Sequence, residues 1–135
     1  MSQQSTDTLS VVVDREFPRP PDKVWQALTL PTLIEQWLMK NDFEPVVGHR
    51  FRFTADWGSV DCQVLAVEPD ELLSYTWSAF GLESVVTWTL AQTDGGTLVH
   101  MEQAGFRPDQ PQVYDGAKAG WQQFFAKLEQ VVADA

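Results

Sequence analysis

The stretch YDGAKAGWQQFFAKLEQVV, residues 114–132, decides the fold. Its apolar positions, counted from Val113 through Ala117, Gly120, Trp121, Phe124, Phe125, Leu128, Val131 and Val132, recur in the steps of three and four that mark an amphipathic helix. The segment after Pro111 reads as this helix. The helix is thin in its first half, with Gly116, Ala117, Ala119 and Gly120 where a core helix normally places bulk, although an interior glycine costs about 1 kcal/mol against alanine. Ala117 and Gly120 inward in the first half, and Phe124, Leu128 and Val131 inward in the second, make one half seal a core while the other leaves room. The alternative reading of Gly120 is close packing against the ring of a strand tryptophan.

Upstream of the helix the period changes to two. HRFRFTADW, residues 49–57, sets Phe51, Phe53, Ala55 and Trp57 on one face and Arg50, Arg52, Thr54 and Asp56 on the other, as in a half-buried strand. VDCQVLAVE, LLSYTWS, SVVTWTLAQ and TLVHMEQAG continue the series between the turn signals WGS, EPDE, AFGLE and TDGG. Leu73, Tyr75 and Trp77 share a face, as do Val86, Trp88 and Leu90, and Val99, Met101 and Gln103. Near the N-terminus, LSVVVDREF reads as a strand stopped by Pro18, after which Pro21 and Pro31 open two short helices. Phe43 to Val46 reads as a short extra strand. The order predicts an α+β fold in which a curved antiparallel sheet wraps the last helix, because every strand then has one face to bury. Residues 1–8 are expected to be a frayed tail and 9–135 a single domain.

Nine Lys and Arg against nineteen Asp and Glu give a net charge of -10, which repels nucleic acid and anionic membrane over most of the surface. A lone cysteine, Cys62, excludes an internal disulfide and a multi-Cys metal site, and no basic-then-apolar leader is present. These features predict a cytoplasmic protein without nucleic-acid or membrane partners and without a metal or cofactor.

The words FPRPPDKVWQALTLPTLIEQWL, VVGHRFRF, VLAVEPDELLSYTW, SVVTWTL with GGTLV, GF at 105–106 and AGW at 119–121 follow one another in an order that resembles the homologues of the activator of the Hsp90 ATPase, within the START and birch-pollen-allergen-like (SRPBCC) superfamily. The resemblance implies a helix-grip fold, with seven antiparallel strands, two small helices closing one end and the long helix across the concave face. It implies a cavity for a hydrophobic or amphipathic small molecule between sheet and helix, and a stress-related role. It also implies, as alternatives, a chaperone-activating role and a polyketide cyclase or aromatase activity. Members that stimulate the chaperone carry a separate chaperone-binding domain before this one, whereas only a short tail precedes the first strand here.

The aromatic supply fits a pocket lining: Trp37 at the end of the second short helix, Phe53 and Trp57, then Trp77 and Trp88, and Trp121 with Phe124 on the long helix, beside Met101 and the small Ala117 and Gly120. Any one of these positions is more often plain core than pocket wall. Tyr75 and Gln103 are the inward polar groups expected to orient a ligand, with Ser84 and Cys62 as further inward candidates. His49 at a turn and His100 on the outer face make poor catalytic candidates, so no catalytic residue is assigned.

Overall fold

The computed structural model describes residues 8–79 and 81–134. The tail expected over residues 1–8 therefore lies, apart from Thr8, outside the described residues. The chain runs β1 (Leu9–Phe17), α1 (Pro21–Thr29), α2 (Pro31–Trp37), β2 (Lys40–Asn41), β3 (Arg50–Ala55), β4 (Gly58–Glu68), β5 (Leu72–Ala79), β6 (Leu82–Thr93), β7 (Gly96–Phe106) and α3 (Pro111–Ala133). The strands form one antiparallel sheet in the order β1-β7-β6-β5-β4-β3-β2, so that only β1 crosses over to pair with the last strand. This is the helix-grip arrangement, with seven strands and the long helix last.

Each helix opens on a proline in its first turn, at Pro21, Pro31 and Pro111. Prolines fit there because the first amides of a helix have no intrahelical acceptor. The two short helices are tied by the Trp37 indole, which donates from the end of α2 to the Ala27 carbonyl of α1 over 2.8 Å. Cross-strand partners keep the inward set together: Leu73 faces Trp88, Trp88 faces Met101, and Val86 faces both Tyr75 and Gln103. The core is drawn from that face, with Phe53, Leu73, Trp88, Val99, Met101, Phe106, Phe125 and Leu128 all at most 1% exposed.

Three local expectations differ from the structure. The extra strand is Lys40–Asn41 and not Phe43 to Val46. The Asn41 side chain accepts the Phe43 amide at 3.1 Å and so ends pairing, while Val46 turns back onto Glu44, with Pro45 between them unable to donate. Trp57 lies in the turn after β3 and is 53% exposed, because the hairpin closes at Ala55 opposite Gly58 and the alternation stops there. On α3 the fully buried ring is Phe125, whereas Phe124 is half-buried. The spacing Trp121, Phe125, Leu128, Val132 follows four, three, four and marks the true centre of the stripe.

Two glycines in the β6–β7 turn separate conformational need from space. A Cβ on Gly96 would stand 2.0 Å from the Phe17 carbonyl oxygen, whereas one on Gly95 would meet only Glu16 Oε2 at 3.7 Å. Gly96 therefore lets the hairpin cross under the end of β1. Gly96→Ala is expected to lower the unfolding free energy by about 2–4 kcal/mol, and Gly95→Ala to change it by less than about 1 kcal/mol. Urea melts of the two variants check this, and equal effects would refute the close approach.

Candidate functional site

The strands and α3 bring most of the expected lining together. Trp88 is the hub: its ring lies 5.7 Å from Trp37, 5.8 Å from Trp121 and 5.6 Å from Phe125, centroid to centroid. Trp121 carries the cluster outward to Trp77 at 5.7 Å and Phe124 at 5.5 Å, and Phe53 meets Trp77 at 5.4 Å. Phe43 and Phe51, which the expected lining did not include although alternation placed Phe51 inward, close the far side against Tyr75 at 6.4 and 5.5 Å. Met101 is fully buried beneath Trp88, its cross-strand partner. The deep half of the sheet-to-helix space is thus filled by rings in tilted and edge-on contact, the geometry aromatic quadrupoles favour.

The outer half is open. Trp77 and Ala79 of β5, Ala55 of β3, and Ala117, Gly120 and Phe124 of α3 are all only partly buried. A Cβ built on Gly120 meets nothing within 4 Å, so this glycine is not there to admit a strand ring at close range. The helix is held from its other flank. Tyr114 Oη donates to the Ser10 carbonyl of β1 at 3.0 Å, Arg15 pairs with Glu129 at 3.3 Å, and Arg19 reaches the Ala133 carbonyl at 2.6 Å. At 100° per residue, Ala117, Gly120 and Phe124 sit on the flank turned away from those anchors. That flank is open, with Trp77 and Phe124 partly buried beside the small Ala117 and Gly120. Trp57, expected on the same wall, lies in the β3–β4 turn and is 53% exposed.

The interior polar groups form a directed chain. An indole N–H can only donate, so Gln103 must present its oxygen to Trp121 Nε1, 2.7 Å away. The Gln103 amide nitrogen then donates to Ser84 Oγ at 2.9 Å, which leaves the Ser84 hydrogen for the Trp77 carbonyl at 2.9 Å. By the same logic Tyr75 Oη accepts from Trp88 Nε1 at 3.1 Å. Tyr75 and Gln103, expected to face inward, are 3% and 2% exposed.

Burial pushes the Tyr75 phenol well above its ordinary value, with the Trp88 hydrogen bond opposing it. The Cys62 thiol is raised by burial first and then by the charges of Asp61 and Asp42. Neither is a nucleophile or base near neutrality. The two histidines lie away from the open flank of α3: His100 binds Asp14 on the outer face, and His49 stacks on Phe51 while meeting the Asp42 carbonyl. Among the described residues no group of three His, Cys, Asp or Glu is placed to hold a metal ion.

A surface groove of about 860 Å³ lies elsewhere, at the β2–β3–β4 edge. Lys40, Arg50 and Arg52 face Glu35, Asp42 and Asp61 there. Arg52 is already engaged, by Asp61 through its side chain and by Asp42 through its amide, both at 2.8 Å. The groove reads as a solvated, charge-balanced edge.

Two outcomes follow from the buried polar groups. Gln103→Leu strands the Trp121 N–H and is expected to cost about 2–4 kcal/mol, more than the Trp-free polar deletion Ser74→Ala, by denaturant melts. Raised pKa values keep Tyr75 and Cys62 neutral in the folded chain while the unfolded chain ionises near pH 10.0 and 9.0. Below pH 9 both states hold these protons and no stability depends on them. Above those values the unfolded state loses protons the folded state keeps, so stability falls by about 1.4 kcal/mol per pH unit for each group. Tyr75→Phe should remove one such share of the slope between pH 10 and 11, and an unchanged slope would contradict the assignment.

Comparison with known proteins agrees with the geometry. Protein MLL2253 from Mesorhizobium loti is 58% identical, with a TM-score of 0.91 over 94% of this chain and 98% of that one. Protein BH1534 from Bacillus halodurans is 27% identical, with a TM-score of 0.83 over 93% and 98%. DynU16, a protein of the dynemicin biosynthetic locus, is 28% identical with a TM-score of 0.82, and the match covers 92% of this chain but 47% of DynU16. No curated protein matches the sequence. No helix among the described residues is long and apolar enough to cross a membrane. The model of one family matches residues 18–133, nearly the whole chain, and on that match the chain belongs to the Activator of Hsp90 ATPase homolog 1-like proteins.

Proposed function

We propose that this chain binds a small hydrophobic or aromatic molecule in the cleft between the first half of α3 and the inner face of β3 and β5. The observation that carries the reading is the open space at Gly120 beside the half-buried rings of Trp77 and Phe124. Aromatic walls with small residues at the mouth suit an apolar ligand that slides between planes. The match to DynU16 supports a small-molecule role, since that protein stands in a biosynthetic locus.

Holding is favoured over turnover by the character of the interior. The buried polar side chains among the described residues are Thr29, Ser74, Ser84, Thr97 and Gln103, together with the Tyr75 phenol, and none of them titrates near neutrality. General acid–base chemistry at pH 7 works best with a group whose pKa lies near that value.

Titration with Nile red, followed by its emission and by Trp fluorescence, tests the cleft. Saturable binding with a raised melting temperature is expected. Gly120→Leu should weaken that binding at least tenfold, while Gly120→Ala should raise the unfolding free energy by about 0.5–1 kcal/mol because it improves helix propensity and meets open space. A Gly120→Leu variant that binds as well as the parent would sink the proposal, as would a strong loss of stability in Gly120→Ala.

A further inference from the structure

The geometry points to Asp94 as a modification site, at which the chain isomerises spontaneously to an isoaspartyl linkage through attack of the Gly95 amide on the Asp94 carboxyl group. The sequence offers this chemistry twice, at Asp94–Gly95 and at Asp115–Gly116. It needs a side-chain carboxyl group free to approach the amide nitrogen of the next residue, and a glycine there puts no Cβ in the way. The fold separates the two pairs. Asp94 and Gly95 are the whole loop between β6 and β7, since Thr93 pairs with Gly96, and both are exposed. Neither the Asp94 side chain nor the Gly95 amide has a hydrogen-bond or ion-pair partner among the described residues. Asp115 is instead bound to Lys118 at 3.4 Å, and Gly116 lies inside α3, where the helix commits its amide to the Gln112 carbonyl four residues back.

Asn41, the only asparagine in the chain, is held against the same reaction at both ends of its side chain. Its Nδ2 donates to the Pro31 and Met39 carbonyls, and its Oδ1 accepts the Phe43 amide. The loop at Asp94 also has a reason to open. Two-residue hairpin loops match the twist of their strands when the first loop residue, at least, takes a positive φ. Here neither Asp94 nor Gly95 does, and the positive φ, 155°, falls on Gly96.

In the first step a bond forms between the Gly95 nitrogen and Asp94 Cγ, a Cγ–O bond breaks, and the oxygen leaves as water with the amide proton, which closes a cyclic imide. Water then opens the ring. Attack at the former backbone carbonyl of Asp94 breaks its bond to the nitrogen and leaves the chain running through Cβ and Cγ, with a new free carboxylate; attack at Cγ restores aspartate. The isomer carries one more backbone atom in a loop with no slack. Thr93 Oγ1 donates to Glu16 Oε2 at 2.5 Å, Thr97 Oγ1 donates to the Arg19 carbonyl at 2.7 Å, and a Cβ on Gly96 would stand 2.0 Å from the Phe17 carbonyl oxygen. Isomerisation therefore loosens the start of β7 from the end of β1, where Phe17 pairs with Thr97.

Ageing the full chain for weeks in neutral buffer at physiological temperature tests this, with isoaspartate located by electron-transfer fragmentation of its peptides. Asp94 is expected to isomerise at least about tenfold faster than Asp115 in the folded chain, because only Asp115 must wait for a helix to open. In urea the two sites should react at similar rates. In water enriched in oxygen-18 each passage through the imide adds one heavy oxygen to the Asp94 peptide. Gly95→Ala keeps the fold, since its Cβ meets only Glu16 Oε2 at 3.7 Å, and should slow the reaction at Asp94 about tenfold. Hydrogen exchange at the Thr97 amide should be faster in the isomerised chain, with β4 and β5 unchanged. No isoaspartate at Asp94, as much at Asp115, the same ratio of rates in urea, or an unslowed Gly95→Ala overturns the assignment, and unchanged exchange at Thr97 overturns the loosening.

Discussion

The interior is organised by side chains that can only donate. Trp37, Trp88 and Trp121 each bury an indole whose N–H needs an acceptor and can offer none in return. One finds a helix carbonyl, one a phenol and one a carboxamide. Each choice fixes the next: Gln103 cannot flip, Ser84 must donate to the Trp77 carbonyl, and Tyr75 must accept. Through these bonds α3 is tied to β7, β7 to β6, and β6 to β5, independently of the backbone ladder. Large rings supply the buried area, and the direction of a few hydrogen bonds makes their arrangement unique.

The same constraint divides α3 into two halves with different work. From Trp121 onward, Phe125, Leu128, Val131 and Val132 seal the core against α1, α2 and β1. Before Trp121 the helix is held mainly from the β1 side, by Tyr114 on Ser10. Its opposite flank carries the exposed Val113 and the small Ala117 and Gly120, and Trp77 is left half-buried. The open flank is therefore a consequence of where the bulk stops along one helix.

Strand faces were legible because period two is local: Phe53, Tyr75, Trp77, Trp88, Met101 and Gln103 all point inward as alternation required. Alternation misleads where a strand ends. Trp57 continues the pattern of Phe51 and Phe53 in writing, yet the hairpin closes at Ala55 and the residue is 53% exposed. The short strand near Phe43 was misplaced for a similar reason, since the Asn41 side chain, rather than a hydrophobic period, sets where β2 stops. Phe125 against Phe124 was decidable from spacing alone, by requiring one line through Trp121, Leu128 and Val132. The partners of the inward polar groups were not. Trp121 meets Gln103 across 18 residues of chain, and such a meeting depends on helix height over the sheet, which no local period encodes.

Gly120 is the position where local and global preference disagree. A glycine in a helix interior costs about 1 kcal/mol against alanine, and such costs are ordinarily explained by a positive φ or by a neighbour too close for a methyl group. Gly120 has neither, for its Cβ would enter open space and its φ is not positive. Gly96 and Gly105 show the contrast within one chain, since backbone oxygens lie 2.0 and 2.7 Å from where their Cβ atoms would stand. Packing explains those two and leaves Gly120 without a structural reason. Departures from local consistency with no compensating contact tend to occur where a protein keeps space or motion for a purpose. The open flank of α3, beside the partly buried Trp77 and Phe124, is such a place.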